Sequence, residues 1–364
     1  RRSTLSWVAD RTSRIAQART EVVEVMSSEE ITVLGTGSWG TTFAQILADA
    51  GHRVVMWGRR PLVVDMINAG ENSAYLPGIE LPSSISATGD IAEACTDADV
   101  IVVAVPSVAV ESVVREAVKT APDATYVSLA KGVDIASRRP ATEVMQEAGN
   151  LEDSQVALIS GPNLSMEIAQ RQPAATVVAS RDLSTATRLA HLCHNAYFRP
   201  YVSTDVVGCE TAGFTKNVIA LAIGAAEGMG LGSNTRSTLV TRGLAEMTRL
   251  GIALGAQAST FAGLAGVGDL MATCSSLMSR NYSLGYRMGQ GMTLQEALEL
   301  SPGIAEGART AGPLVALAED LDVDMPIARA VAATLAGEAT VEQMGEMLLE
   351  RPQKMDGWEI ELLD

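Results

Sequence analysis

Three glycines with a fixed spacing lie between a predicted strand and a predicted helix. Residues 31–34 are apolar and β-branched, and the pattern Gly35-x-Gly37-x-x-Gly40 follows them directly. Residues 41–50 have the composition of a helix. In this order the first glycine permits a tight turn, the second lets a pyrophosphate approach the backbone, and the third lets helix and strand pack closely. The pattern therefore predicts a dinucleotide-binding turn, and the alternative is a glycine-rich connection without a ligand.

Two arginines follow the next predicted strand, residues 53–57. In an NAD-binding unit an acidic residue near this position binds the ribose hydroxyls, but here the sequence carries Arg59 and Arg60. A guanidinium binds a 2′-phosphate through paired hydrogen bonds. The sequence therefore favours NADP(H), with NAD(H) possible. The alternative is that the two arginines form a solvated turn or stack on adenine.

Polar residues follow two further predicted strands. Lys131 follows residues 125–129 with one residue between, and a second cluster begins after residues 156–160. Ligands bind at the carboxyl ends of the strands in an open parallel sheet. A lone lysine is as compatible with a solvated surface, but two neighbouring clusters favour a ligand site formed by Lys131, Gly161, Asn163 and Ser165.

Lys216 lies in an otherwise apolar predicted helix, residues 206–228. A buried ammonium group is costly unless it is paired or used. Desolvation and a nearby cation lower the pKa of a lysine, which then serves as an acid or base near neutral pH. Lys216 is thus a candidate proton donor, and the alternative is a structural ion pair with Glu210 or Glu227.

Further polar groups occur in the second half of the chain. Asp269 follows a glycine-rich bend that aims its carboxylate, and Glu306 is another acid bracketed by glycines. Ser279, Arg280 and Asn281 combine a helix cap, a guanidinium and an amide, a grouping that suits a phosphate.

The composition excludes several classes of protein. The chain has 364 residues, of which 47% are hydrophobic and 19% charged, so it is globular and long enough for two domains. Its net charge of −16 argues against nucleic-acid binding, and a phosphorylated ligand requires a local group of basic residues. The four cysteines and the histidines lack metal-ligand spacing, so we expect free thiols and no metal site. No apolar run reaches the ~20 residues of a membrane span.

The order of predicted elements divides the chain. Strands and helices alternate from residue 31 to about residue 180, and helical periodicity dominates from residue 205. This pattern predicts an α/β fold with a Rossmann-like, doubly wound, mostly parallel sheet, followed by an all-α C-terminal domain. We expect residues 1–30 to be an extension that is disordered or upstream of the natural start. Residues 31–204 should form the dinucleotide-binding domain and residues 205–350 the all-α substrate domain. Residues 351–364 should form an acidic tail.

Taken together, these blocks resemble the bacterial NAD(P)-dependent glycerol-3-phosphate dehydrogenases. The resemblance extends from about residue 31 to residue 349 and lies in the glycine turn, Ala130-Lys131-Gly132, Ser160-Gly161-Pro162-Asn163, Lys216-Asn217-Val218, the segments 241–247 and 264–270, and Ser279-Arg280-Asn281. Several ordered blocks with the correct gaps are far more specific than any one of them. The sequence departs from the family at Phe214, where a smaller residue is usual, and at Val267, where leucine is more common.

The resemblance implies reversible, NAD(P)H-dependent reduction of dihydroxyacetone phosphate to sn-glycerol 3-phosphate for glycerophospholipid synthesis, in a cytoplasmic homodimer. It implies that Lys216 is the acid/base, with Lys131 and Asp269 beside it. The implied substrate ligands are Lys131, Gly161, Asn163, Lys216, Asp269, Ser279, Arg280 and Asn281. In addition to Gly35, Gly37, Gly40 and Arg60, the implied cofactor ligands are Ser38, Trp39, Arg59, Lys131, Ser165, Arg280, Ile304 and Glu306.

Two other functions remain open at this point. One is a related dehydrogenase acting on a β-hydroxyacid or a 3-hydroxyacyl-CoA, which shares the nucleotide-binding domain and often has a catalytic lysine. The other is a non-catalytic NADP-binding sensor, which needs neither Lys216 nor Asp269.

Overall fold

One eight-stranded sheet forms the first half of the computed structural model, which describes residues 29–132, 139–301 and 305–349. Its strands are β1 Glu30–Leu34, β2 Arg53–Trp57, β3 Ile85–Thr88, β4 Val100–Val103, β5 Thr125–Ser128, β6 Val156–Ser160, β7 Ala174–Ala179 and β8 Phe198–Ser203. They lie in the order β3-β2-β1-β4-β5-β6-β7-β8. The first six strands are parallel, β7 is antiparallel to β6, and β8 is parallel to β7. The predicted mostly parallel sheet is confirmed.

Helices cover both faces of this sheet because parallel strands need crossover connections. They are α1 Ser38–Asp49, α2 Pro61–Asn68, α3 Ile91–Cys95, α4 Val110–Ala117, α5 Ala141–Gly149, α6 Ser165–Ala169 and α7 Leu183–Cys193. Alternate residues of β1 enter different cores: Val33 packs in a cluster with Phe43, and Leu34 packs in a cluster with Val114. Both faces of β1 are therefore buried.

The second half of the described chain is helical. Its helices are α8 Val206–Gly228, α9 Ser233–Ala253, α10 Ala258–Phe261, α11 Asp269–Cys274, α12 Arg280–Gly289, α13 Leu294–Glu299, α14 Glu306–Asp320, α15 Pro326–Leu335 and α16 Val341–Leu349. Only α8, among the described helices, is long and apolar enough to cross a membrane, and 94% of its most apolar window is buried inside the protein. It is the central core helix.

Close packing of α8 against α12 depends on glycine. A Cβ atom at Gly224 would lie 2.1 Å from the carbonyl oxygen of Tyr282, and one at Gly285 would lie 2.1 Å from that of Leu221. The two backbones therefore touch directly, which fixes α8 relative to the start of α12. This contact sets the position of Lys216 on α8 relative to Arg280 on α12.

Candidate active site

The glycine turn has the geometry of a phosphate cradle. Gly35 has φ +133°, and a Cβ atom there would lie 2.5 Å from the carbonyl oxygen of Ala104. A Cβ atom at Gly40 would lie 2.4 Å from the carbonyl oxygen of Gly35, whereas one at Gly37 would meet no atom of the described residues within 4 Å. The first and third glycines are thus required by the backbone itself. The open space at Gly37 leaves room for a pyrophosphate.

The first turn of α1 offers donors to that space. Gly37 is the N-cap, and among the described residues no side chain caps the helix. The indole Nε1 of Trp39 is buried and has no hydrogen-bond partner among the described residues. The hydroxyl of Ser38 donates to the carbonyl oxygen of Tyr75 at 3.1 Å. Free N–H groups at a helix start attract phosphate. These residues fit the pyrophosphate of a dinucleotide.

Arg59 and Arg60 are exposed directly after β2. Within the described ranges Arg59 has no hydrogen bond or ion pair. Arg60 donates to the hydroxyl of Tyr75, and its Cζ lies 5.0 Å from the centroid of that ring. Both guanidinium groups are accessible to a negatively charged ligand at this edge of the sheet.

One carboxylate bridges two lysines at the centre of the site. The Nζ of Lys216 lies 2.6 Å from Oδ1 of Asp269 and 2.7 Å from Oγ1 of Thr273. The Nζ of Lys131 lies 2.7 Å from Oδ2 of Asp269 and 2.9 Å from the carbonyl oxygen of Gly161. The structure therefore brings Lys131, Gly161, Lys216 and Asp269 together from four segments.

Burial tunes Lys216 for proton transfer. Its pKa is lowered to about 8, chiefly by desolvation and also by the nearby charge of Lys131, while the charge of Asp269 acts in the opposite direction. Among the described residues, Asp269 and Thr273 accept from two of its three N–H groups, which leaves one for a ligand. Lys216 thus combines a pKa near neutrality with a free donor, as an acid/base requires.

The alternative ion pairs of Lys216 are wrong. Glu210 instead accepts hydrogen bonds from the backbone and hydroxyl of Thr142, and Glu227 pairs with Arg236 at 3.3 Å. The carboxylate that pairs with Lys216 is supplied 53 residues away, by Asp269. Only the tertiary fold determines this choice, since all three acids are plausible partners in the sequence.

A single π-helical turn aims Asp269. The turn Leu264–Gly268 leads directly into α11, of which Asp269 is the first residue. A Cβ atom at Gly266 would lie 2.1 Å from the carbonyl oxygen of Phe261, so this bend requires glycine. Thr273 lies one helical turn after Asp269 and was not among the predicted site residues. Its i, i+4 spacing from Asp269 is the signal that places it on the same helix face.

Two asparagines connect the site to the helices behind it. Asn217 donates to the carbonyl oxygen of Lys131 at 3.0 Å, and Asn281 donates to the side-chain oxygen of Asn217 at 2.9 Å. The oxygen of Asn281 accepts from the backbone N–H of Gly307 at 2.8 Å. The side chain of Asn281, predicted as a substrate ligand, therefore joins α8, α12 and α14. Asn217 was not among the predicted site residues.

The remaining predicted residues lie around this centre. Ser279 caps α12 by accepting from the backbone of Tyr282 at 3.3 Å, and Arg280 is exposed beside it. Burial raises the pKa of Glu306, and the positive charges of Arg280, Lys216 and Lys131 oppose that shift. Ile304 lies outside the described residues.

Asn163 and Ser165 follow β6. The amide nitrogen of Asn163 donates to the hydroxyl of Thr176 at 3.0 Å, while its oxygen is buried without a partner among the described residues. Ser165 begins α6, and its carbonyl oxygen accepts from the hydroxyl of Thr42 on α1. Asn163 thus joins the end of β6 to β7 through its amide nitrogen.

The two halves of the chain match two models of one family. The model for the N-terminus of NAD-dependent glycerol-3-phosphate dehydrogenase matches residues 30–186, and the model for its C-terminus matches residues 205–346. The chain belongs to this glycerol-3-phosphate dehydrogenase family. The resemblance identified from the sequence blocks is confirmed.

Individual members of the family align with most of this chain. Glycerol-3-phosphate dehydrogenase [NAD(P)+] from Streptomyces griseus is 50% identical over 319 residues, which are 87% of this chain and 95% of that protein. The crystal structure of the Coxiella burnetii enzyme matches with a TM-score of 0.83 and 34% identity, covering 89% of this chain and 99% of that one. A ketopantoate reductase from Ralstonia eutropha, 17% identical with a TM-score of 0.53, shares the fold alone.

Proposed function

We propose that this protein catalyses the reversible NAD(P)H-dependent reduction of dihydroxyacetone phosphate to sn-glycerol 3-phosphate. The observation that carries the proposal is the buried Lys216–Asp269–Lys131 cluster, which joins a proton donor to a second cation at the ligand crevice. The names of the relatives support the same reaction class. A non-catalytic sensor would need no such cluster.

Lys216 supplies the proton in this mechanism. A bound nicotinamide would supply the hydride for the C2 carbon of the substrate, or accept it in the reverse direction. The free N–H of the Lys216 ammonium protonates the C2 oxygen as the carbonyl becomes a hydroxyl, and the neutral amine takes that proton back in the reverse direction. Asp269 keeps the Lys216 ammonium oriented through its hydrogen bond to Nζ. The charge of Lys131 stabilises negative charge that develops on the oxygen.

Arg280 is the proposed phosphate ligand. It lies exposed at the first position of α12, where backbone N–H groups and the helix dipole also favour an anion. Together with Lys131 and Lys216 it forms a local basic group in a chain whose net charge is −16. This arrangement favours a phosphate monoester over a simple β-hydroxyacid.

The finer assignments extend this proposal. Arg59 and Arg60 support a preference for NADP(H) over NAD(H). The end of β8 at Ser203 and the start of α8 at Val206 support a dinucleotide-binding domain over residues 31–204 and a substrate domain over residues 205–350. The family resemblance supports a cytoplasmic homodimer that supplies glycerophospholipid synthesis.

A substrate panel tests the reaction. The purified chain is given dihydroxyacetone phosphate, a β-keto acid or a 3-oxoacyl-CoA, each with NADPH and with NADH, and loss of reduced cofactor is followed. We expect turnover with dihydroxyacetone phosphate and a higher kcat/KM with NADPH. Turnover only with the other substrates would indicate the alternative dehydrogenase, and NADPH binding without any turnover would indicate a sensor.

A further inference from the structure

A closed loop after α2 lies against the glycine turn. Residues 71–80 form this loop, and a backbone bridge between Glu71 and Glu80 closes its base. The N–H of Leu81 also donates to the carbonyl oxygen of Gly70 at 2.8 Å. The two ends of the 71–80 loop are therefore held together by backbone hydrogen bonds.

Asn72 fastens this loop to the pyrophosphate cradle. Its side chain is fully buried, and its amide nitrogen donates to the carbonyl oxygen of Thr36 at 3.0 Å and to the hydroxyl of Thr41 at 2.8 Å. The hydroxyl of Ser38 makes a second connection, to the carbonyl oxygen of Tyr75. The position of Tyr75 is therefore set by the same turn that receives the dinucleotide phosphates.

Tyr75 in turn holds one of the two arginines that follow β2. The Arg60 guanidinium donates to the Tyr75 hydroxyl and lies over its ring, 5.0 Å from the centroid. The ring is partly buried against the core of the sheet, so it is a fixed partner. Arg59, by contrast, has no hydrogen bond or ion pair within the described ranges. Before any ligand binds, the guanidinium of Arg60 is therefore restrained by Tyr75, whereas among the described residues nothing restrains that of Arg59.

We propose that Tyr75 is a specificity-determining residue, which keeps the Arg60 guanidinium at the edge of the crevice for the 2′-phosphate of NADP(H). An arginine already restrained by a hydrogen bond and a ring contact loses less conformational freedom on binding a phosphate. Asn72 connects the loop that carries Tyr75 to the glycine turn, so the position of the Arg60 guanidinium depends on that turn. This role of Tyr75 rests on the proposed NADP(H) preference and gives that preference a structural cause.

The test is a double-mutant cycle read out as the NADPH-to-NADH ratio of kcat/KM. The variants are Tyr75→Ala, Tyr75→Phe, Arg60→Ala and the double variant Tyr75→Ala/Arg60→Ala. We expect Tyr75→Ala to lower the ratio by about fivefold to tenfold and Tyr75→Phe by about twofold, since phenylalanine keeps the ring contact. The double variant should match Arg60→Ala, because Tyr75 acts through Arg60.

A second arginine–tyrosine pair gives a matched control. On β8 the Arg199 Cζ lies 5.5 Å from the ring centroid of Tyr201, which is exposed. Tyr201→Ala should leave the ratio unchanged. The kcat/KM with NADH reports whether each variant folds and turns over, because NADH lacks the 2′-phosphate.

The outcomes separate the two proposals. A wild-type protein that prefers NADH overturns the cofactor preference and this inference with it. A wild-type protein that prefers NADPH and keeps its ratio in Tyr75→Phe and Tyr75→Ala overturns the inference alone. Independent effects of Tyr75→Ala and Arg60→Ala would also contradict it.

Discussion

Lys216 and Asp269 form a buried ion pair with an Nζ to Oδ1 distance of 2.6 Å, in which their side chains are 7% and 2% exposed. Removing one partner of such a pair leaves an uncompensated buried charge. Lys131 contacts the other oxygen of the same carboxylate, so the three side chains carry a net positive charge. This excess of one charge suits an anionic substrate and an oxygen that gains negative charge during reduction.

The pH dependence of the two reaction directions should be opposite. Reduction needs the Lys216 ammonium, so kcat should fall as the pH rises through the lysine pKa of about 8. Oxidation of glycerol 3-phosphate needs the neutral amine and should accelerate over the same range. Steady-state rates measured in both directions across this range check the prediction. Parallel profiles would contradict it.

Asp269→Asn should move the pH profile as well as lower the rate. The Asp269 charge raises the pKa of Lys216, so its removal leaves desolvation and Lys131 to lower that pKa further. We expect kcat for reduction to fall by about 100-fold and its remaining pH midpoint to shift to lower pH. The exposed Asp65 provides the control variant Asp65→Asn. An unchanged midpoint in Asp269→Asn would show that the ion pair does not tune Lys216.

Two glycines of the turn should respond differently to alanine. A methyl group at Gly40 overlaps the backbone at Gly35, so Gly40→Ala should lower the free energy of unfolding by about 1–3 kcal/mol. A methyl group at Gly37 meets no atom of the described residues within 4 Å, so Gly37→Ala should keep its stability but raise the KM for NADPH by about tenfold. Thermal unfolding and cofactor titration distinguish the two effects. Equal losses of stability would contradict this division.

Glu246 should make the fold less stable as the pH rises. It lies buried on α9, accepts hydrogen bonds from the N–H groups of Ile327 and Ala328, and burial raises its pKa from 4.5 to about 7. Between these values the folded protein binds more protons than the unfolded chain, so the free energy of unfolding falls with increasing pH. Glu210 contributes in the same direction, because burial also raises its pKa to about 7.

Denaturant unfolding at several pH values between 4.5 and 7 measures this slope. Glu246→Gln should reduce it by about half, since Glu210 still titrates. Glu319→Gln, at an exposed position of α14, is the control and should leave the slope unchanged. A Glu246→Gln slope identical to that of the wild type would contradict the assignment.

Local patterns in the sequence were sufficient to predict the sheet and the glycine turn. Continuous apolar strands, glycine spacing and helix starts are short-range signals, and the structure shows the corresponding strands and the close contacts at Gly35 and Gly40. The change to a helical second half near residue 205 follows from periodicity alone.

Partner choices in the site were beyond the reach of local patterns. Lys216 has acids six residues before it and eleven residues after it, yet the fold delivers Asp269 from a separate helix. Asn281 reads as a phosphate ligand beside Arg280, but its amide joins three helices. Such choices depend on which segments meet in space, and a single sequence does not encode them as a local signal.

The most direct measurement is the rate of NADPH oxidation with dihydroxyacetone phosphate by the wild-type protein and by Lys216→Ala. Lys119→Ala and His194→Ala are matched controls, because both side chains are exposed. We expect the wild type and the controls to turn over and Lys216→Ala to lose kcat by at least about 100-fold while still binding NADPH. Full activity in Lys216→Ala would contradict the central role of this lysine.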